Sequence, residues 1–303
     1  MKFGKVENLD HINFDLSFDI EKSLRLLEKA NTQHHIRIGA TSWMNKDWRG
    51  IIYPAKIKAT EYLHYYAKNF QTIELNATHY RIPTIEQVIN WKNQVGPSFK
   101  FCPKIPQTIS HSKSLGADRD TLKIFLDAIS HLEENSGPCF LQLPPHFDSV
   151  KIDVLNSFLE KWPVGYPLSI EFRHESFYQE NNKIRKLNER LAEKTIGRVL
   201  VDVAGRRDML SLPTLTTDEV IIRFVGNHPH PSDEQRLDQW LRIMEYWSLK
   251  RAVKIHFMIH QSDEKATLHT AFNLTEKWNN QKLTPKIKPL AWIDRYNPLA
   301  LHA

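Results

Sequence analysis

Residues 139–174 read CFLQLPPHFDSVKIDVLNSFLEKWPVGYPLSIEFRH and contain a complete strand–helix–strand unit. Cys139–Leu143 is an apolar run of strand length, closed by Pro144 and Pro145. Leu155, Phe158, Leu159 and Trp162 then keep helical spacing, and Leu168–Phe172 is a second apolar run. Two strands joined through a helix predict parallel neighbours with a right-handed crossover.

The same unit recurs in both directions. Strand-like runs fall at Ile36–Ala40, Thr72–Asn76, Ser98–Cys102, Val199–Val203, Val220–Phe224 and Val253–Ile259. Helical stripes lie between most of them, such as Tyr62, Leu63, Tyr66, Ala67 and Phe70, or Leu237, Trp240, Leu241 and Met244. Thr84 with Gln87 predicts a capping box ahead of Val88. Gly197, after Leu187 and Leu191, reads as a helix stop. Eight strands alternating with helices predict a single (β/α)8 TIM-type barrel over residues 36–279. An open doubly wound sheet is the rival, but no G-x-G-x-x-G follows an early strand and no Walker-type loop occurs, so no cofactor is expected. Residues 1–35 read as a short N-terminal extension with one helix near Glu21 to Ala30. Residues 280–303, with Pro285, Pro289 and Pro298, read as a C-terminal tail packing on the barrel.

Composition narrows the partners. A net charge of +6 favours anions, whether small ligands or nucleic acid, although no long Lys/Arg run occurs. The densest basic stretch, Lys277 to Lys288, reads as solvated surface. Cys102 and Cys139 sit far apart in apolar runs, which excludes a disulfide framework and a four-cysteine zinc site. The first twenty residues carry no apolar signal region and no run reaches membrane-spanning length, so a cytoplasmic protein without a membrane partner is expected.

Barrel enzymes carry their reactive groups at the C-terminal ends of strands, and here polar residues recur there. They are Glu74 and Asn76, Lys104 and His111, Gln142, Glu171 and Arg173, Asp202, Arg223, and His256 with His260. Glu74, Glu171 and Asp202 are the candidate catalytic carboxylates. Lys104, Arg173 and Arg223 are candidate clamps, because cationic forks match phosphate and carboxylate. Asn76, His111 and Gln142 are candidate substrate contacts, with Trp43 (beside Trp48) as a stacking wall after the first strand. The competing reading is a carboxylate–guanidinium network whose members only satisfy one another.

The motifs carry a resemblance to a known family. GATSWMNKDWRGIIYP, FQTIELNATHYRIP, FKFCPKIPQTISH, FLQLPPHF, SIEFRHESFY, LVDVAG and VIIRFVG stand in the order found in the YecE-like family, also called the domain of unknown function 72 family. The resemblance spans roughly residues 36 to 275 and implies a TIM-type barrel. It places Glu74, Asn76, Tyr80, Lys104 and His111 at matching positions, which adds Tyr80 to the candidate substrate contacts. Two positions depart from the pattern. The seventh-strand signature usually reads Arg-x-His-Gly, whereas Val225 stands beside Arg223 and Gly226 here; the eighth usually ends in paired asparagines, replaced by Ile259 and His260.

Three functions are open at this point. One is a metal-independent enzyme with Glu74 or Glu171 as acid or base, acting on a small anionic substrate. The second is a metal-assisted phosphodiesterase acting on nucleic acid, weakened by the absence of H-x-x-x-H spacing. The third is a non-catalytic ligand-binding module.

Overall fold

The computed structural model describes residues 4–16, 19–27, 34–116, 120–210, 214–281 and 285–292. The fold is α/β. Its strands are β1 Ile36–Ala40, β2 Thr72–Leu75, β3 Lys100–Pro103, β4 Cys139–Gln142, β5 Leu168–Glu171, β6 Ile196–Arg198, β7 Leu200–Asp202, β8 Glu219–Val225 and β9 Lys254–His260. The longer helices are α1 Tyr62–Asn69, α2 Ile85–Lys92, α3 Thr121–Ser130, α4 Ile152–Lys161, α5 Asn182–Glu193, α6 Ser232–Arg251 and α7 Glu264–Asn280. The strand ladders are parallel and form two sheets, ordered β3-β2-β1-β9-β8-β7 and β4-β5-β6. Two isolated parallel bridges, Phe101↔Ser136 and Lys104↔Phe140, link the β3 segment to the β4 segment.

Local chemistry explains the elements. Thr84 Oγ1 accepts from Gln87 N–H at 3.2 Å while Gln87 Oε1 accepts from Thr84 N–H at 3.0 Å, the reciprocal cap that starts α2. A Cβ on Gly39 would lie 2.4 Å from the Thr72 carbonyl oxygen, so glycine is what lets β1 approach β2.

The sixth expected strand differs from its prediction. It begins earlier, as β6, and Val199 separates it from β7. Gly197 is therefore not a helix stop but lies within β6, where a Cβ would meet Ser169 Oγ at 2.6 Å. The turn after α5 is made by Thr195, with a left-handed φ of 55°. The N-terminal helix is one turn, Ile20–Ser23; residues 28–30 of its expected span lie outside the described residues.

Alternation along the strands stacks the sheet interior in layers. Thr72, Glu219 and His256 form a polar layer near the strand starts, where His256 Nδ1 meets Thr72 Oγ1 and its Nε2 meets Glu219 Oε1, both at 2.9 Å. Next comes an apolar layer of Cys102, Phe140, Val199, Val201, Val203, Met209, Ile221 and Met258. Lys104, Gln142, Arg223 and His260 follow two residues further along their strands, and Glu74 lies two residues beyond Thr72. After α7, Asn279 Nδ2 donates to Ile287 O at 2.8 Å, and Ala291 N–H donates to Asn69 Oδ1 at 2.7 Å. Pro298 lies outside the described residues. No helix among them is long and apolar enough to cross a membrane.

Candidate functional site

Arg223 is the hub. Its Nε and Nη2 donate to the two Glu74 oxygens at 2.9 and 3.2 Å, and Nη1 donates to Glu171 Oε2 at 2.6 Å. Glu171 Oε1 also accepts from Arg173 Nε at 2.6 Å and from Gln142 Nε2 at 2.9 Å. Gln142 and Glu171 are register partners across β4 and β5, which fixes that contact. Burial, the largest single influence, would raise both carboxyls, but the cations around each, Arg223 foremost, together outweigh it. Glu74, also beside His260 and Lys104, is held well below the ordinary carboxylate range, and Glu171, also beside Arg173, is lowered.

His260 completes this cluster. Its Nε2 lies 2.9 Å from Glu74 Oε2 and 3.1 Å from Arg223 Nη2. One nitrogen thus faces an acceptor and a donor. With its proton on Nε2 the ring donates to Glu74; with the proton on Nδ1 it accepts from Arg223. Burial lowers the basicity of His260, which favours the neutral ring. Val225 and His260 are register partners across β8 and β9. The His260 imidazole thus stands directly across the ladder from Val225.

Lys104 stands apart in its bonding. It is 6% exposed, and its Nζ lies 5.5 Å above the Phe140 ring, beside Arg223, whose guanidinium is 5.2 Å from the same ring. Glu74, Arg223, Glu171 and Arg173 all act on it through space. Among the described residues, no carboxylate stands within ion-pair distance of Nζ and no group hydrogen-bonds it. Burial is the largest influence on this amine and lowers its basicity. His79, whose Nδ1 meets Ile105 O at 2.9 Å, has its ring 5.6 Å from that of His111. Partial burial, His79, Arg173, Lys104 and His146 push His111 down to about 4.

Four expected residues fall elsewhere. Asp202 is one residue out of phase with the inward-facing Val201 and Val203, so it turns outward to α6. There it accepts from Arg236 Nη1 at 3.0 Å, from Trp240 Nε1 at 2.8 Å and from Arg207. Tyr80 is 80% exposed, at the end of the short helix Ala77–Tyr80. Trp43 packs edge-on against Trp91 at 5.8 Å, and His256 belongs to the polar layer at the other end of the strands. Asn76 sits beside β2, with Nδ2 3.4 Å from Thr41 O. Arg223 is where it was expected, has no exposed surface, and directs its donors to Glu74 and Glu171. Sequence reading left His79 out of the site and placed His260 among the strand-end polar residues without giving it a role. His260 was read both as a polar residue ending an apolar strand and as a departure from the pattern.

Among the described residues no group of three or more His, Cys, Asp or Glu could hold a metal ion. The family profile described as "Protein of unknown function DUF72" matches residues 37–292. The chain belongs to the DUF72 family. It is 28% identical over 229 residues to the UPF0759 protein YecE of Escherichia coli K12, covering 70% of this chain and 82% of YecE. It is 27% identical over 202 residues to the UPF0759 protein YunF of Bacillus subtilis 168, covering 64% and 71%. Among solved structures, a DUF72 protein of Enterococcus faecalis V583 superposes with a TM-score of 0.64 at 20% identity, covering 82% of this chain and 98% of that one. One from Thermotoga maritima MSB8 gives 0.60 at 23% identity, covering 82% and 99%. These DUF72 structures share the fold.

Proposed function

We propose that the strand-end cluster is the active site of an enzyme acting on a small anionic substrate, with Lys104 as the group that receives it. The observation that carries this reading is the buried Lys104 amine, which among the described residues has no hydrogen-bond or ion-pair partner. A buried ammonium needs a counter-charge, and Glu74 and Glu171 are already engaged by Arg223 and Arg173. Three cations against these two carboxylates leave room for one negative charge on a phosphate or carboxylate. Glu74 and His260 would move a proton between them, since they already share a short contact.

We further read the two sheets as one eight-stranded barrel in a single domain, with β6 and β7 as one interrupted strand and the two bridges closing β3 on β4. Support comes from the bridges and from the layered interior.

Calorimetry with inorganic phosphate and with pyruvate tests the site. Lys104→Met should weaken binding of the preferred anion ~10-fold or more, in keeping with ~1.5–3 kcal/mol for a charged hydrogen bond. Tyr80→Ala should leave it unchanged. Equal affinity of wild type and Lys104→Met would overturn the reading.

A further inference from the structure

We infer that Lys104 is a nucleophile which forms an imine with a 2-oxo acid, a substrate class that deepens the anion-binding reading and rests on it. The case begins with bonding. A lysine that only balances charge inside a protein is held by a carboxylate or by several acceptors. Lys104 has neither among the described residues, although Glu74 and Glu171 are close enough to act on it through space. Both carboxylates are instead bound to guanidinium groups. Its nitrogen lies over the face of Phe140, at the edge of the apolar layer. Burial, the largest influence on this ammonium, makes its proton easier to lose, and the lone pair so freed can attack a carbonyl carbon.

The same arrangement selects the electrophile. In a 2-oxo acid the carboxylate is bonded directly to the carbonyl carbon. A carboxylate drawn to this cationic cluster would therefore bring the carbonyl up to Nζ. The chemistry balances without any further reagent. The C–N bond forms as the C=O π bond breaks. Two of the three ammonium protons leave with the carbonyl oxygen as water, and the nitrogen lone pair closes the C=N bond. Ammonium and carbonyl have become iminium and water, with one positive charge before and after and no change of oxidation state. The iminium thus still faces the substrate carboxylate. The Glu74–His260 contact and the neutral His111 provide protonatable groups close to the cluster for the proton transfers.

The test is reductive trapping of the full-length protein with pyruvate and cyanoborohydride, followed by peptide mapping. Calorimetric titration with pyruvate runs in parallel. One saturable adduct per chain is expected, on Lys104, reduced severalfold by excess inorganic phosphate. Lys104→Arg keeps the charge and should lose the adduct while retaining measurable pyruvate binding. Pyruvate binding without an adduct at Lys104 overturns the imine and leaves the anion site standing. Adducts spread over surface lysines in proportion to their exposure overturn it as well. Absence of binding by both phosphate and pyruvate overturns the imine together with the reading it rests on. Should Lys104→Arg fail to fold, as judged by circular dichroism, the wild-type peptide map decides alone.

Discussion

Arg223 has no surface open to solvent and is shared by Glu74, Glu171 and His260. Replacing it would strand two buried carboxylates. Arg223→Met is therefore expected to cost ~3–5 kcal/mol of stability, as for removing one member of a buried ion pair. Urea denaturation checks this, and adding Glu74→Gln should recover part of the loss. An unchanged midpoint for Arg223→Met would contradict the hub. Most of the cluster was legible in the sequence because charged residues inside apolar strands stand out, as Glu74 between Ile73 and Leu75 does. What composition hides is direction. Asp202 looks equivalent to Glu171 in the sequence, yet Glu171 turns to Arg223 whereas Asp202 turns away from Val201 and Val203. The Lys104 amine was legible as a cation but not as one with no ion-pair partner among the described residues, because pairing depends on where distant strands put their carboxylates.

At the scale of elements, Asp202 joins β7 to α6 through Arg236 and Trp240. Arg236 is fully buried, bound as well to Asp233 at 2.7 Å. Burial would raise the Asp202 carboxyl, but Arg236 and Arg207 hold it low. Asp202→Asn should lower stability with no effect on anion binding, because this pair lies on the outer side of the sheet; a binding defect in a folded variant would return Asp202 to the site. Gly39→Ala places a methyl against the Thr72 carbonyl and should cost at least ~1–3 kcal/mol, read from the thermal midpoint. Helices with capping boxes and amphipathic stripes, such as α2, were readable from local rules. β6 was not, because Gly197 carries the mark of a helix end while its actual role is close approach to Ser169.

For the whole molecule, polar groups are buried at both ends of an apolar layer, and this sets the response to acid. His256, His260 and His79 are lowered by burial from an ordinary value of 6.5. Folded chains therefore resist protonation that unfolded chains accept, so the stability these rings contribute is present above pH 6.5 and falls as the pH drops toward their folded values. Glu219 is depressed from 4.5 to about 2, against its own burial, by His256 and Lys254. Its contribution is present above pH 4.5 and is lost as the pH falls through about 2. Urea midpoints should decline in two stages, and His256→Gln should flatten the upper one; a level profile between pH 7 and 5 would count against this account. The two bridges between β3 and β4 have a kinetic consequence. β8 and β9 are paired in register from Glu219↔Lys254 to Val225↔His260, whereas the β3 and β4 segments share only Phe101↔Ser136 and Lys104↔Phe140. Few ladder bonds hold that seam, and local opening favours such places. The amides of Gly137 and Ile105, which donate across it at 2.7 and 2.9 Å, should exchange deuterium ahead of those in β8 and β9. Breathing at this seam would admit solvent to Phe140 and the Lys104 amine while the rest of the sheet stays closed.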